Sequence, residues 1–530
     1  MKEKFLLKEL SRYKIGTYAD IVYRNALLYK DREAFVYGSQ RVTFSQYNKR
    51  VNRTIHGLQS MGLRKGDGIG ILSWNCLEYT YLYGAAMKGG FIISPFNPRL
   101  QTAELEHIIN YSEVKALFVG PELTATIDQL RSRLPGVTRY ISLGEPFSAM
   151  VDYDTLLQTF PESEPDVFIE EDDPFVIFYT SGTTGVPRGA LYNHGRSVED
   201  HKANALHLRI GPDHKHVMIM PLFHIGGSSH FWSFFCVGAS NVIMTQRSYD
   251  PAATLQTIQD EKATDIHIVP THLVGMLGLP TNDYNLKSLT QILYAASPMP
   301  VELLRKGIDR FGPIFTQHYG QSESGPHVTF LQTGYHEVLN KSPEEQAVLG
   351  SCGHPFIGVH VRIVDGEGRD KEARRIGEIV VQSKWMMTGY WHKPEYTRET
   401  IVDGWLHTGD MGYYDENGFI YIVDRKKDMI ISGGENIYPR EVEEVLYRHP
   451  AVLEAVSIGV PDPVWVERVH ALIVLKKGCQ ATGDEIIEFC KNHLARYKAP
   501  KTVEFVDSLP KTPSGKILKR ELRGKYREGK

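Results

Sequence analysis

A chain of 530 residues, 42% of them hydrophobic and 23% charged, is long enough for several domains, each able to bury its own core. Sixty Lys and Arg against 63 Asp and Glu leave a net charge of −3, which excludes a general polyanion binder such as a nucleic-acid-coating protein. The five cysteines, Cys76, Cys236, Cys352, Cys479 and Cys490, are too few and too scattered for a disulfide framework and lack zinc spacing, so a reducing compartment is expected.

The N-terminal MKEKFLLKELSRYK holds one short apolar patch, broken by Lys8 and Glu9, where a signal peptide needs a longer uninterrupted core. β-Branched and aromatic runs then alternate with amphipathic segments. Gly68–Leu72, Ala116–Val119, Phe175–Thr180, His216–Met220, Val242–Met244, Asp265–Val269, Gln291–Ala295, Ile379–Val381 and Phe419–Val423 read as strands. Ser45–Met61, Ala103–Tyr111, Ser197–Leu206, Pro251–Lys262 and Pro300–Phe311 read as helices. Strands separated by helices imply parallel sheets covered by helices. The most apolar long stretch, His230–Met244, is interrupted by Ser233, Gly238, Ser240 and Asn241 and falls short of the ~20 residues of a membrane span. A soluble, cytoplasmic protein is expected.

Three polar stretches are candidate boundaries: the acidic, proline-rich Phe160–Pro174, Tyr335–Glu345, and Asp424–Lys427. Charge supports the last, because residues 425–530 carry 20 basic and 15 acidic side chains while the first 424 carry 40 and 48. A large acidic domain (1–424) and a small basic one (425–530) suit a cleft that handles an anion.

The densest signal is Tyr179-Thr-Ser-Gly-Thr-Thr-Gly-Val-Pro-Arg-Gly189, with four hydroxyls and three glycines in eleven residues between an apolar strand and a second strand, Ala190–Asn193. Glycines let several backbone N–H groups converge; the hydroxyls of Thr180, Ser181, Thr183 and Thr184 add donors, and Arg188 adds charge. That is the chemistry of a phosphate cradle, although GxxxxGK[ST] does not match. Further on stand Tyr319-Gly-Gln-Ser-Glu323, His407-Thr-Gly-Asp410, Asp424–Pro439 with its Ser432-Gly-Gly-Glu435 loop, and Pro510-Lys-Thr-Pro-Ser-Gly-Lys-Ile517. A turn carboxylate such as Glu323 suits Mg²⁺; Asp410 is an acceptor suited to ribose hydroxyls. Lys516 follows a glycine turn that projects it. The surrounding residues 511–530 hold eight basic and two acidic side chains, and Lys519, Arg520, Arg523 and Lys525 read as a solvated tail.

These five motifs, in this order, resemble the adenylate-forming superfamily of acyl-CoA synthetases, peptide-synthetase adenylation domains and luciferases. The resemblance implies an α/β fold: a large N-terminal domain of helix-covered sheets with a β-barrel-like subdomain, and a small mobile α+β C-terminal domain. It implies an acid–thiol ligase that joins a carboxylate to the α-phosphate of ATP, expels pyrophosphate, and then passes the acyl group to coenzyme A with release of AMP. Lys516, Glu323, Thr184 and His224 are the implied catalytic set, with Glu323 on Mg²⁺ and His224, in Pro221-Leu-Phe-His-Ile-Gly-Gly227, beside the substrate carboxylate. Thr180, Ser181, Gly182, Thr183, Thr184, Gly185 and Arg188 would cradle phosphate; Gln317, Tyr319, Gly320 and Ser322 would face adenine and its surroundings; Asp410, Arg425 and Lys427 would meet ribose and the hinge. Gly433 and Gly434 would line the channel for the pantetheine arm once the small domain has turned about Lys427.

The family usually has Lys where Arg188 stands; Arg keeps the charge but is bulkier and forked. The aromatic run Phe231-Trp-Ser-Phe-Phe235 reads as core rather than pocket wall. With no obvious reader of a charged tail, a medium- or long-chain fatty acid is the first expectation for the acid, an aryl or alicyclic acid the second. Loading of a carrier protein is a further alternative, and a catalytically dead nucleotide-binding scaffold is disfavoured by intact Glu323, Asp410 and Lys516. The expected partners are a small carboxylic acid, ATP and CoA, without nucleic acid; the resemblance leaves a homodimer open.

Overall fold

A computed structural model describes residues 12–14, 16–147, 149–180, 187–280, 283–432, 435–511 and 517–527. Every strand and helix expected above is present, within a few residues at its ends.

Two large sheets form the body. In one, the strands lie in the order Gly389–Tyr390, Arg188–Asn193, Pro174–Thr180, Ile92–Phe96, Gly68–Leu72, Val114–Val119, Arg139–Ser142 and Val151–Asp152. The other runs His354–Pro355, Gly325–Leu331, Phe315–Gln321, Gln291–Tyr294, Asp265–Ile268, Lys215–Met218, Ser240–Ile243, Glu33–Tyr37 and Gln40–Thr43. The central pairs of both sheets are parallel, whereas Pro174–Thr180 with Arg188–Asn193 and Phe315–Gln321 with Gly325–Leu331 pair antiparallel. Strands covered on both faces need continuous apolar runs, and Ile92–Phe96 is buried at every position.

The helices Phe44–Ser60, Leu77–Gly89 and Ile225–Cys236 join the two sheets in one core, which contains Phe35 and Met218 from one sheet and Ile93 and Phe175 from the other. The first of these helices opens with a capping box between Thr43 and Gln46. Gly84 allows the first two to touch: a Cβ there would stand 2.4 Å from the Tyr47 hydroxyl and from Val51. Phe231, Trp232, Phe234 and Phe235 are all fully buried, so the aromatic run is core, as its composition suggested.

Phe160–Pro174 does not separate two bodies. Burial of the apolar surface around it leaves Lys88 with no solvent exposure, and its ammonium donates to Glu164 (2.5 Å), Asn48 (2.5 Å) and Asn52 (2.7 Å). Burial pulls Lys88 down to about 8, and the Lys88 ammonium holds the Glu164 carboxyl below its usual range. The segment is a strap pinned to the large body by an ion pair that would be costly to break.

Beyond Tyr335–Glu345 the chain builds a five-stranded sheet from Val359–Val364, Gly377–Ser383, Trp405–Tyr414, Ile401–Val402 and Ile420–Arg425. The C-terminal sheet contains Glu435–Ile437, Ile430–Ser432, Val466–Leu475, Val452–Asp462 and Thr502–Phe505, covered by the helices Pro439–Arg448, Gly483–His493 and Lys519–Arg527. Among the described residues no apolar cluster spans both sides of 424–428, and Arg440 crosses there by polar contacts to Asp424 and the Ile422 carbonyl.

Candidate active site

The hairpin formed by Phe315–Gln321 and Gly325–Leu331 carries the site. Its close approach explains Gly320, where a Cβ would lie 2.3 Å from the Gly325 carbonyl. Gln317 points its Oε1 into the interior, where it has no hydrogen-bond partner among the described residues. An orphaned buried acceptor is costly, so it fits a ligand N–H such as a purine amino group.

Asp410, at 4% exposure, is the most heavily bonded group of the site. Its Oδ2 accepts from the Tyr319 hydroxyl (2.8 Å) and from Gln321 Nε2 (2.5 Å), and its Oδ1 pairs with Arg425 Nε at 2.9 Å. Gln321 Nε2 also donates to the Thr408 carbonyl at 3.0 Å. Burial and the Asp410 carboxylate push the Tyr319 phenol well up, so it stays a donor. Asp410 and Arg425 face each other across adjacent strands, Trp405–Tyr414 and Ile420–Arg425, in direct register. A carboxylate has about four acceptor positions, which leaves Asp410 capacity for a hydroxyl ligand.

Glu323 lies in the turn of the hairpin. Tyr390 donates its hydroxyl to Glu323 Oε1 (2.9 Å), Met387 N–H donates to the Glu323 carbonyl (2.9 Å), and the Tyr192 hydroxyl donates to the Ser322 carbonyl (2.7 Å). Arg188 opens the strand Arg188–Asn193, directly after the phosphate-loop signature, and its guanidinium lies 3.8 Å from the ring centre of Tyr396 and 5.5 Å from that of Tyr390. Thr180 closes the same hairpin, with its hydroxyl 3.5 Å from the Arg188 carbonyl. Among the described residues no carboxylate pairs with Arg188, and no cluster of three or more His, Cys, Asp or Glu forms a metal cage. A lone carboxylate suits Mg²⁺, which completes its shell with substrate phosphates and water.

His224 stands immediately before the helix Ile225–Cys236, its ring against Phe223 and its Nε2 buried without a partner among the described residues. Burial, with the Arg99 cation nearby, pulls it down to about 4, so it is a neutral hydrogen-bonding imidazole and not a cation. Gly226 has open space where a Cβ would point, whereas Gly227 is held by close approach to the Pro221 carbonyl at 2.4 Å.

Behind the hairpin lie further buried imidazoles. His216 and His230 are 4.8 Å apart between ring centres, His230 and His267 5.2 Å, and His318 and His327 5.1 Å. Burial pulls His216 down to about 4 and His267 to about 3, and moves His230 and His318 the same way.

At the hinge candidate, Asp424 accepts from the backbone N–H groups of Arg425 (2.7 Å) and Arg440 (2.9 Å), the latter in the first turn of the helix Pro439–Arg448. Lys427 is exposed. Here the expectation of a solvated C-terminal tail is corrected for two residues. Lys519 Nζ pairs with Glu443 at 2.9 Å and approaches Asp424 at 3.8 Å, while Arg523 bonds Asp428 and the Lys427 carbonyl. Their heads meet acidic groups on facing elements, so these cations are spent on fixing the last helix against the 424–428 turn.

Ser181, Gly182, Thr183, Thr184 and Gly185, Gly433 and Gly434, and Lys516 lie outside the described residues. The sites brought together are Gln317, Tyr319, Gly320, Ser322, Glu323, Asp410 and Arg425, joined by Arg188 and Thr180. Sequence reasoning missed Gln321, Tyr192, Tyr390 and Tyr396; only Gln321 lies inside a recognised motif.

The sequence model of the AMP-binding enzyme family matches residues 22–391, and that of the AMP-binding enzyme C-terminal domain matches 441–516. The chain therefore belongs to the AMP-binding enzymes, and it is an AMP-forming acid–thiol ligase of the acyl- and aryl-CoA ligase group, whose members use ATP and CoA. It is 34% identical to a feruloyl-CoA synthase of Amycolatopsis sp, over 95% of this chain and 98% of the relative. It is also 34% identical to a fatty acid–acyl-carrier-protein ligase of Streptomyces coeruleorubidus, over 92% of each. Among solved structures, an anthranilate CoA ligase in complex with anthranoyl-AMP superposes with a TM-score of 0.88 at 26% identity, covering 98% of both chains. No helix among the described residues is long and apolar enough to cross a membrane.

Proposed function

We propose that this chain joins a hydrophobic carboxylic acid to CoA, medium- or long-chain fatty acids first. The observation that carries the reading is the meeting of Glu323 and Asp410 through one hairpin, with Arg425 and Arg188 on either side. Bringing a carboxylate to the α-phosphate of ATP is a problem of charge placement, and this arrangement supplies anchored cations and carboxylates at a strand edge.

In the first half-reaction Asp410 and Arg425 hold the ribose side, Gln317 accepts from the purine, and Arg188 with the loop of Thr180, Ser181, Thr183 and Thr184 meets the phosphates. Glu323 holds Mg²⁺, which when bound neutralises phosphate charge. Neutral His224 offers one hydrogen bond beside the acid, and Lys516 bridges carboxylate and α-phosphate as the acyl–adenylate bond forms and pyrophosphate leaves. The thiol of CoA then attacks the acyl carbon, arriving past Gly433 and Gly434 after the 425–530 domain turns near Lys427, and AMP departs. The separate apolar cores on the two sides of 424–428 support that division.

A second reading, an aryl or alicyclic acid, is favoured by likeness to a feruloyl-CoA synthase and to an anthranilate CoA ligase. A screen of fatty, aryl and alicyclic acids for CoA-dependent AMP release separates the two. AMP release with a phosphopantetheinylated carrier protein and none with CoA would overturn the CoA-ligase reading. Lys516→Ala is expected to reduce acyl-adenylate formation by about 10²-fold or more while thioester formation from preformed acyl-adenylate persists; equal loss in both rules out a role confined to the first step.

A further inference from the structure

Residues 385–400 carry no motif that sequence reasoning singled out, yet they touch both charged groups of the phosphate corner. The short strand Gly389–Tyr390 lies beside Leu191 and Ala190, on the strand that Arg188 begins. Trp391 N–H donates to the Gly189 carbonyl at 2.7 Å, and Tyr390 N–H to the Thr397 hydroxyl at 2.9 Å. Tyr390 is 8% exposed and belongs to the main core, so packing sets its ring. From that fixed ring the hydroxyl goes to Glu323 Oε1 and one face goes to the Arg188 guanidinium, which rests on Tyr396 on its other contact.

Arg and a carboxylate within reach of each other would form a bidentate pair, and each would cancel the other's charge. A tyrosine between them changes that outcome. Its O–H donates to the carboxylate without neutralising it, and its π face attracts the guanidinium without neutralising that either. Both charges stay available for a phosphate–metal assembly. A lysine in place of Arg188 would lack the planar face that stacks on two rings, which gives the Arg at this position a physical reason.

We propose that Tyr390 is a positioning residue for adenylation: it orients the Glu323 carboxylate toward Mg²⁺ and, with Tyr396, stations Arg188 toward the phosphates of ATP. The inference rests on the reading that Glu323 faces the metal and the nucleotide phosphates. It predicts defects confined to nucleotide-phosphate binding, metal-linked for the Tyr390 hydroxyl and metal-independent for the rings that hold Arg188, because neither group is needed once pyrophosphate has left.

The test uses the full chain and the probe α,β-methylene-ATP, titrated by calorimetry with Mg²⁺ and in EDTA, so that no acid substrate has to be known. Tyr390→Phe keeps the ring and removes the hydroxyl. It should raise the Mg²⁺ concentration for half-maximal analogue binding about tenfold, as expected for losing a hydrogen bond to a charged group, while binding in EDTA stays unchanged. In a Glu323→Gln background the same substitution should have no further effect. Tyr396→Leu should weaken analogue binding about threefold with and without Mg²⁺. Wild-type Mg²⁺ dependence in Tyr390→Phe overturns the inference, as does an undiminished effect in the Glu323→Gln background, which marks a folding role. Wild-type protein that binds no analogue overturns the underlying reading as well.

Discussion

The two ends of the Tyr319–Glu323 stretch are built in opposite ways. At one end Asp410 pairs with Arg425 and accepts from Tyr319 and Gln321, so its charge is compensated before any ligand arrives while one acceptor position stays free. At the other, Glu323 and Arg188 are held by tyrosines, and among the described residues neither forms an ion pair. A ribose is neutral and needs directional acceptors, which a rigid paired network supplies. Phosphates and Mg²⁺ are charged, and a corner that had neutralised itself would have nothing left to offer them. The contrast also divides the reaction in time, because ribose is present in ATP, acyl-adenylate and AMP alike, whereas pyrophosphate leaves after the first step.

The largest effect that tests this contrast is Asp410→Asn. Losing charged hydrogen bonds to a buried acceptor should cost about 10²-fold in kcat/KM, and the loss should fall on both adenylate formation and thioester formation from preformed acyl-adenylate. A loss limited to the first step would break the division. Next comes pH. His216 and His224 titrate near 4 and His267 near 3 in the folded protein, held down by burial. Their unfolded counterparts titrate near 6.5, so between those values the unfolded state binds more protons. Stability is therefore fully present above pH 6.5 and is lost as pH falls toward 4, by up to about 1.4 kcal/mol per pH unit for each such histidine. Urea titrations from pH 7.5 to 4.5 measure it; a flat profile would show that these imidazoles are not buried neutral. The smallest effect is Arg188→Lys. It keeps the charge and loses the stacked plane, so KM for MgATP should rise about threefold with KM for CoA unchanged. A matching rise for CoA would deny that the corner serves the first step alone.

The local sequence was sufficient for the elements expected from it, though not for Ile92–Phe96, Leu77–Gly89 or Ile225–Cys236, and for the candidate groups that lie inside motifs. Strands such as Gly68–Leu72 and Phe175–Thr180 announce themselves by apolar runs, because a strand covered on both faces leaves no place for polar side chains. Glu323 and Asp410 stand in short motifs whose chemistry is readable in a few residues. Tyr390 was invisible by the same standard. Its two partners are 67 and 202 positions away, and nothing in Gly-Tyr-Trp-His says that a phenol will reach one of them and a ring face the other. Lys519 and Arg523 were misread as a solvated tail because their acidic partners, Glu443, Asp424 and Asp428, come from other elements. Composition and spacing determine which backbone each stretch can form and which chemistry it carries. Which charges are cancelled and which are kept open is decided only by packing, because compensation depends on distances between residues far apart in the chain.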